Sequence, residues 1–212
     1  MIISPSIASG DSLRLADEIA LCDECFDAMH LDVADGVAVR GITFGLKTCV
    51  AACELSSSSS RSIHLEVNDP LSYVADLRCC DATELFVQTD NLTDPVNVLR
   101  ELREANLGMT VGANLGNLDV GRTYLDALLA EGGPVLIGTT AHDDPAQVWR
   151  RDMVEFAIWL AEDGREVWVD GGITPELLVP LAEQGIHAVV LGRAVFKNRE
   201  RARCLARQWQ GD

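Results

Sequence analysis

The chain has 212 residues, 48% hydrophobic and 24% charged, and its 33 acidic residues against 17 basic ones give a formal charge of −16. That length suits one domain with a substantial core and is short for two, so a single domain over residues 1–212 is expected. Such acidity disfavours nucleic acid and anionic membrane as partners. The opening MIISPSIASG has neither a basic lead nor an apolar signal core, and no apolar run reaches bilayer length, so a cytoplasmic location is expected.

A first strand is predicted at Ile2–Pro5, followed by a helix over Ser12–Cys25 and a second strand over Ala28–Asp32. The serine run Ser56–Ser60 reads as a flexible connection before a third strand, Ser62–Val67. Leu85–Gln88 is a fourth strand, Pro95–Asn106 a helix, Met109–Gly112 a fifth strand and Gly121–Glu131 a helix. Val135–Gly138 and Val167–Asp170 are the sixth and seventh strands, flanking a helix over Ala146–Glu162; Pro175–Gln184 is helical and Ala188–Leu191 closes the series. Gly108, Gly164 and Gly185 stand where helix C-caps belong, and Thr174-Pro175 reads as an N-cap with proline in the first turn. Eight alternations at about 26 residues each suit a closed parallel α/β barrel, a single (β/α)8 TIM barrel. A doubly wound open sheet has the same alternation, but no GxGxxG follows the first strand.

The seven cysteines are an odd number, and Cys22 and Cys25 form a CxxC that does not recur as a zinc ribbon requires. They read as buried or half-buried thiols.

Residues two apart on a strand share a face. His30 and Asp32 therefore point together from the second strand, His64 and Glu66 from the third, and Asp170 ends the seventh beside Gly171-Gly172. A lone buried histidine is ordinarily a satisfied core group. Two His and two Asp beside apolar strand cores would be costly to bury unpaired, and a shared divalent cation removes that cost. Imidazole nitrogen with carboxylate oxygen suits zinc, manganese, iron or cobalt.

The segments MIISPSIASG, HLDVADG, ITFG, IHLEVNDP, VWVDGGITPE and LGRAVF follow one another as in ribulose-phosphate 3-epimerases, which the chain resembles over nearly its whole length. The resemblance implies one divalent metal on His30, Asp32, His64 and Asp170, with Asp32 and Asp170 also the acid and base on opposite faces of the substrate carbon. It implies a substrate contact at Ser6, no redox cofactor, a sugar-phosphate substrate and a homo-oligomer, dimer or hexamer. Methionines that wall the pocket in relatives are replaced by Ala34, Glu66 and Gly138, predicting a roomier, more polar site with Glu66 as a substrate hydroxyl contact or an additional metal ligand, or else a rim carboxylate in solvent. A His-x-Glu is replaced by Gln88-Thr89-Asp90, leaving Gln88 to hydrogen-bond without titrating. The phosphate loop PGFGGQ of relatives becomes His142-Asp143-Asp144-Pro145-Ala146-Gln147, in which only Gln147 keeps register, and two carboxylates and a proline replace anion-binding backbone donors. Gly171, Gly172, Gly192 and Arg193 are then the remaining phosphate candidates, and Arg40 adds a positive group near the mouth. D-ribulose 5-phosphate is the default substrate. A hexulose phosphate such as allulose 6-phosphate, an unphosphorylated ketose, or a non-catalytic metal- or sugar-binding role are the alternatives. Decarboxylation of a keto-gulonate phosphate is disfavoured, because no lysine stands at a strand end (Lys47 falls within a helix).

Overall fold

The computed structural model describes residues 1–118, 121–140 and 148–210. Eight strands run parallel: β1 (Ile2–Pro5), β2 (Ala28–Ala34), β3 (Ser60–Glu66), β4 (Glu84–Gln88), β5 (Thr110–Leu115), β6 (Val135–Gly138), β7 (Val167–Asp170) and β8 (Ala188–Leu191). Their order is β1-β8-β7-β6-β5-β4-β3-β2, and one parallel bridge between Ser6 and His30 joins the two ends into a ring. The fold is the expected (β/α)8 barrel.

The helices between strands are α1 (Leu15–Cys25), α2 (Leu46–Leu55), the short α3 (Val74–Leu77), α4 (Pro95–Glu104), α5 (Arg122–Ala130), α6 (Arg151–Glu162) and α7 (Leu178–Glu183); α8 (Arg193–Phe196) and α9 (Arg199–Gln210) follow β8. They cover the outward faces of the strands, and one apolar cluster including Leu31, Ile63, Leu85, Leu102, Val169 and Leu191 fills the layer between.

Several limits differ from expectation for local reasons. α1 begins at Leu15 rather than Ser12, because the Asp11 carboxylate accepts from the Leu13 N–H (3.0 Å) and holds a turn there. α6 begins at Arg151, since Arg150 donates its N–H to the Thr139 carbonyl (2.8 Å) and its guanidinium to Gly116 O (2.9 Å). Gly164 and Gly185 are the left-handed residues that end α6 and α7, at φ 81° and 79°. At the end of α4, Asn106 takes that conformation instead (φ 53°), ahead of Gly108. Five of the seven cysteines are buried, whereas Cys79 and Cys204 are exposed.

The serine run is not a loose connection. Asp23 of α1 accepts from Ser56 Oγ (2.6 Å), Ser57 N (3.0 Å), Ser58 N (3.1 Å) and Ser58 Oγ (2.6 Å). Asp27 accepts from Ser59 N (2.7 Å) and Ser59 Oγ (2.6 Å), and Ser60 is already the first residue of β3. Short hydroxyls suit this passage because each satisfies a carboxylate that would otherwise compete with the strand for water.

Burial opposes ionisation of Asp23, but the serine hydrogen bonds outweigh it and hold its carboxyl below its ordinary value. A depressed folded-state value contributes stability above the unfolded value and loses it as pH falls through the folded one. Asp23→Ala is therefore expected to cost about 1–2 kcal/mol at neutral pH in urea unfolding, with the gap to wild type closing below about pH 4. A gap of equal size at both pH values would refute the assignment.

Candidate metal centre and cleft

Alternation along the strands sorts the barrel interior into layers. At the bottom Phe86 and Trp168 pack with ring centres 5.1 Å apart, among Ile2, Leu136, Ala188 and Val190. One strand period higher the inward residues turn polar at the end where parallel barrels carry their sites.

His30 and Asp32 come from β2 and His64 from β3, where Asp32 and His64 are register partners. Asp170 ends β7, its carbonyl accepting from Thr139 N (2.7 Å) and Oγ1 (2.9 Å). Each of these four offers one ligand atom, and all four atoms lie within 4.8 Å of one another. Asp32 Oδ1 is 3.1 Å from His30 Nε2 and 3.4 Å from His64 Nδ1, close to the edge of about 3.3 Å that a tetrahedron with bonds of about 2.0–2.1 Å has. The other Asp32 oxygen accepts from Ser6 Oγ at 2.5 Å.

The state of His30 is set from behind. Ser62 Oγ lies 2.7 Å from His30 Nδ1 and 3.4 Å from the Met29 carbonyl, so a Ser62 hydroxyl turned to Met29 accepts the Nδ1 proton. In that tautomer Nε2 aims a lone pair at a carboxylate oxygen, fully buried and with no hydrogen-bond partner among the described residues. Two acceptors facing each other repel unless a proton or a metal ion lies between them. The donor set fits a divalent ion of the zinc, iron, manganese or cobalt kind.

Electrostatics agree with that demand. Burial raises the cost of ionising Asp32, but the charges and hydrogen bonds of His30 and His64 take it well below the usual carboxylate range. Asp170 moves the other way, pushed up to about 6 by burial and by the Asp32 charge. Burial disfavours the His64 imidazolium, yet Glu66, Asp32 and Asp170 together raise it to about 9. A proton and a metal ion therefore compete for the same pocket of negative potential.

The cluster opens into a cleft of about 940 Å³. Ser6, Glu66, Gly171, Gly172, Gly192 and Arg193 all line it, as do Asp32, His64 and Asp170. Glu66 is only 8% exposed and lines the cleft. Gly171 has φ 106°, and a β-carbon there would strike the Thr140 hydroxyl, so a side chain is excluded on two counts. Gln88 is buried, donates to Asp90 (3.2 Å) and is not among the described residues lining the cleft. Neither Ala34 nor Arg40 lines it, so of the two small replacements only Gly138 widens the wall. Gln147 and the rest of His142–Gln147 lie outside the described residues.

Sequence reading missed Ser62, Thr43, Asn114, Lys197 and Arg201. Thr43 accepts from Ala34 N (2.9 Å) and donates to the Asp32 carbonyl, fixing the end of β2. Lys197 and Arg201 line the far arm of the cleft, each four residues on from the last after Arg193; that spacing was the available signal.

Fold and site together define a parallel (β/α)8 barrel whose cleft is built around a two-histidine, two-aspartate cluster. The profile described as the ribulose-phosphate 3 epimerase family matches residues 2–196, and the chain belongs to that family. A ribulose-phosphate 3-epimerase of Synechocystis is 30% identical, covering 97% of this chain and 92% of that one. The Arabidopsis thaliana chloroplastic ribulose-5-phosphate-3-epimerase is 27% identical over 97% of this chain and 75% of its own. Among solved structures, phosphoribosyl anthranilate isomerase from Thermus thermophilus superposes with a TM-score of 0.69 at 15% identity, over 99% of this chain and 98% of that one. The Pyrococcus furiosus N-(5'-phosphoribosyl)anthranilate isomerase gives 0.68 at 14% identity, with all of both chains covered. These structural likenesses bear on the fold alone.

Because Ser62 fixes the tautomer of His30, Ser62→Ala is expected to weaken binding of a divalent ion about tenfold to a hundredfold in chelator competition, with the fold intact. Unchanged affinity would remove Ser62 from the site.

Proposed function

We propose that the chain, as one barrel domain over 1–212, is a metal-dependent ketose-phosphate 3-epimerase, with D-ribulose 5-phosphate as its default substrate. What carries this reading is the pairing of two half-buried aspartates from separate strands, β2 and β7, within one His/Asp cluster of a chain that belongs to this family. His30, Asp32, His64 and Asp170 would hold the ion, with zinc the first candidate. When bound, such an ion supplies Lewis acidity that stabilises negative charge on the substrate oxygen beside the reacting carbon.

The remaining work falls to side chains. A proton on the carbon next to a ketone is weakly acidic, and its loss leaves an enediolate. One aspartate takes the C3 proton from its face and the other returns a proton from the opposite face, which inverts the centre. Asp32 on β2 and Asp170 on β7 stand on separate strands, so one can face each side of the substrate carbon. Which one begins as base follows from the configuration of the substrate, so the pair serves both directions. Ser6 holds the Asp32 carboxylate by its 2.5 Å hydrogen bond and limits its rotation toward or away from C3. Gly171, Gly172 and Gly192 leave backbone exposed for the phosphate end, and Arg193 adds charge there. Glu66 is placed to accept a substrate hydroxyl.

A hexulose 6-phosphate is a second reading, favoured by the bare wall at Gly138 and the size of the cleft.

The test is deuterium exchange in D2O with metal-replete protein and ribulose 5-phosphate, allulose 6-phosphate and the free ketoses. Deuterium should enter at C3 with inversion. Asp32→Asn and Asp170→Asn should each lower turnover by about 10²–10⁴-fold, with metal content measured alongside. Chelation should abolish exchange and metal return should restore it. A metal-loaded protein that exchanges no ketose at C3 would leave a non-catalytic binding role in its place.

A further inference from the structure

Asn114 lies at the inner end of β5, paired in register with Gln88 on one side and Leu136 on the other. It is 1% exposed and lines the cleft. Its amide is fixed, because Nδ2 donates to the Leu136 carbonyl at 3.3 Å. The reverse orientation would set two oxygens against each other, so Oδ1 must be the atom turned inward. That oxygen is buried and has no hydrogen-bond partner among the described residues.

A buried amide oxygen left unsatisfied costs about 1–3 kcal/mol, and such a group calls for a donor. The donor cannot be a phosphate dianion, whose oxygens only accept. A hydroxyl fits. Cations gather on one side: the β7–β8 side carries Gly171, Gly172 and Gly192 with Arg193, Lys197 and Arg201 against the one carboxylate of Glu176, while Glu66 and Asn114 on β3 and β5 present acceptors. Gly138, on the strand between β5 and β7, puts no side chain between Asn114 and Asp170.

Resting on the epimerase reading, we propose that Asn114 is a specificity-determining residue that accepts a hydrogen bond from the C1 hydroxyl of the ketose phosphate. With the anionic end drawn to the β7–β8 side and the ketone at the His/Asp cluster, C1 is the end left to face β5. A site built to bind a hydroxyl discriminates against the analogue that lacks it, because its own acceptor is then left unpaired.

The experiment compares xylulose 5-phosphate with 1-deoxyxylulose 5-phosphate in wild type and Asn114→Ala, following C3 exchange in D2O. Wild type should lose about tenfold to a hundredfold in kcat/KM on the deoxy compound. Asn114→Ala should lose a similar factor on xylulose 5-phosphate, chiefly in KM, and little more on the deoxy compound. Metal content and melting temperature are followed in both proteins. The wild-type comparison needs no variant, so it stands even if Asn114→Ala fails to fold. Equal kcat/KM for the two sugars in wild type, or equal loss on both in the variant, overturns the role of Asn114 and leaves the epimerase intact. Wild type inactive on both sugars, and on ribulose 5-phosphate, allulose 6-phosphate and the free ketoses, overturns the epimerase reading and this inference with it.

Discussion

The protein is organised around the cost of keeping Asp32 ionised inside a barrel. Its carboxylate is surrounded by His30, His64 and Ser6, and those contacts alone outweigh burial. Everything near it follows from that requirement. Ser62 commits His30 to one tautomer, Thr43 fixes the backbone of Asp32, and Thr139 fixes that of Asp170. The apolar plug of Phe86, Trp168 and Leu136 beneath closes the barrel to water from the other end, which strengthens each of these interactions.

Acidity of the whole chain sharpens the same theme. At a formal charge of −16 the protein repels an anionic ligand at long range, and long-range repulsion is screened within about 10 Å in ordinary salt. Recognition of a phosphate must then be local, and the cleft concentrates cationic side chains on its β7–β8 side. Arg193, Lys197 and Arg201 follow one another at four-residue intervals there, whereas Arg199 and Arg203 on other faces of α9 pair with Glu18 and Glu24.

Much of this was legible in the sequence because a strand has a period of two. That rule alone places His30 with Asp32 and His64 with Glu66, and β1, β6, β7 and β8 have the limits their β-branched runs suggest. What was not legible depends on partners distant in the chain. Ser56–Ser60 looks like a linker until Asp23 and Asp27 are placed against it. Asn114 sits in VGANLG, which reads as the end of a strand and a turn; only the Leu136 carbonyl opposite shows which way its amide is held. Gln88, set beside the substrate by the resemblance, is buried with its amide donating to Asp90 and is not among the described residues that line the cleft.

The ring of strands has one seam. Between β1 and β2 a ladder gives way to the single bridge at Ser6 and His30, and Ser6 crosses it again to reach Asp32. The cluster spans that gap, with Asp170 on the β7–β8–β1 flank and the other three on β2 and β3. Whatever grips all four ties the two flanks together like a clasp on a hoop. An ion held there would therefore stabilise the closed ring as well as the site, since a ligand that binds only the folded chain raises its stability.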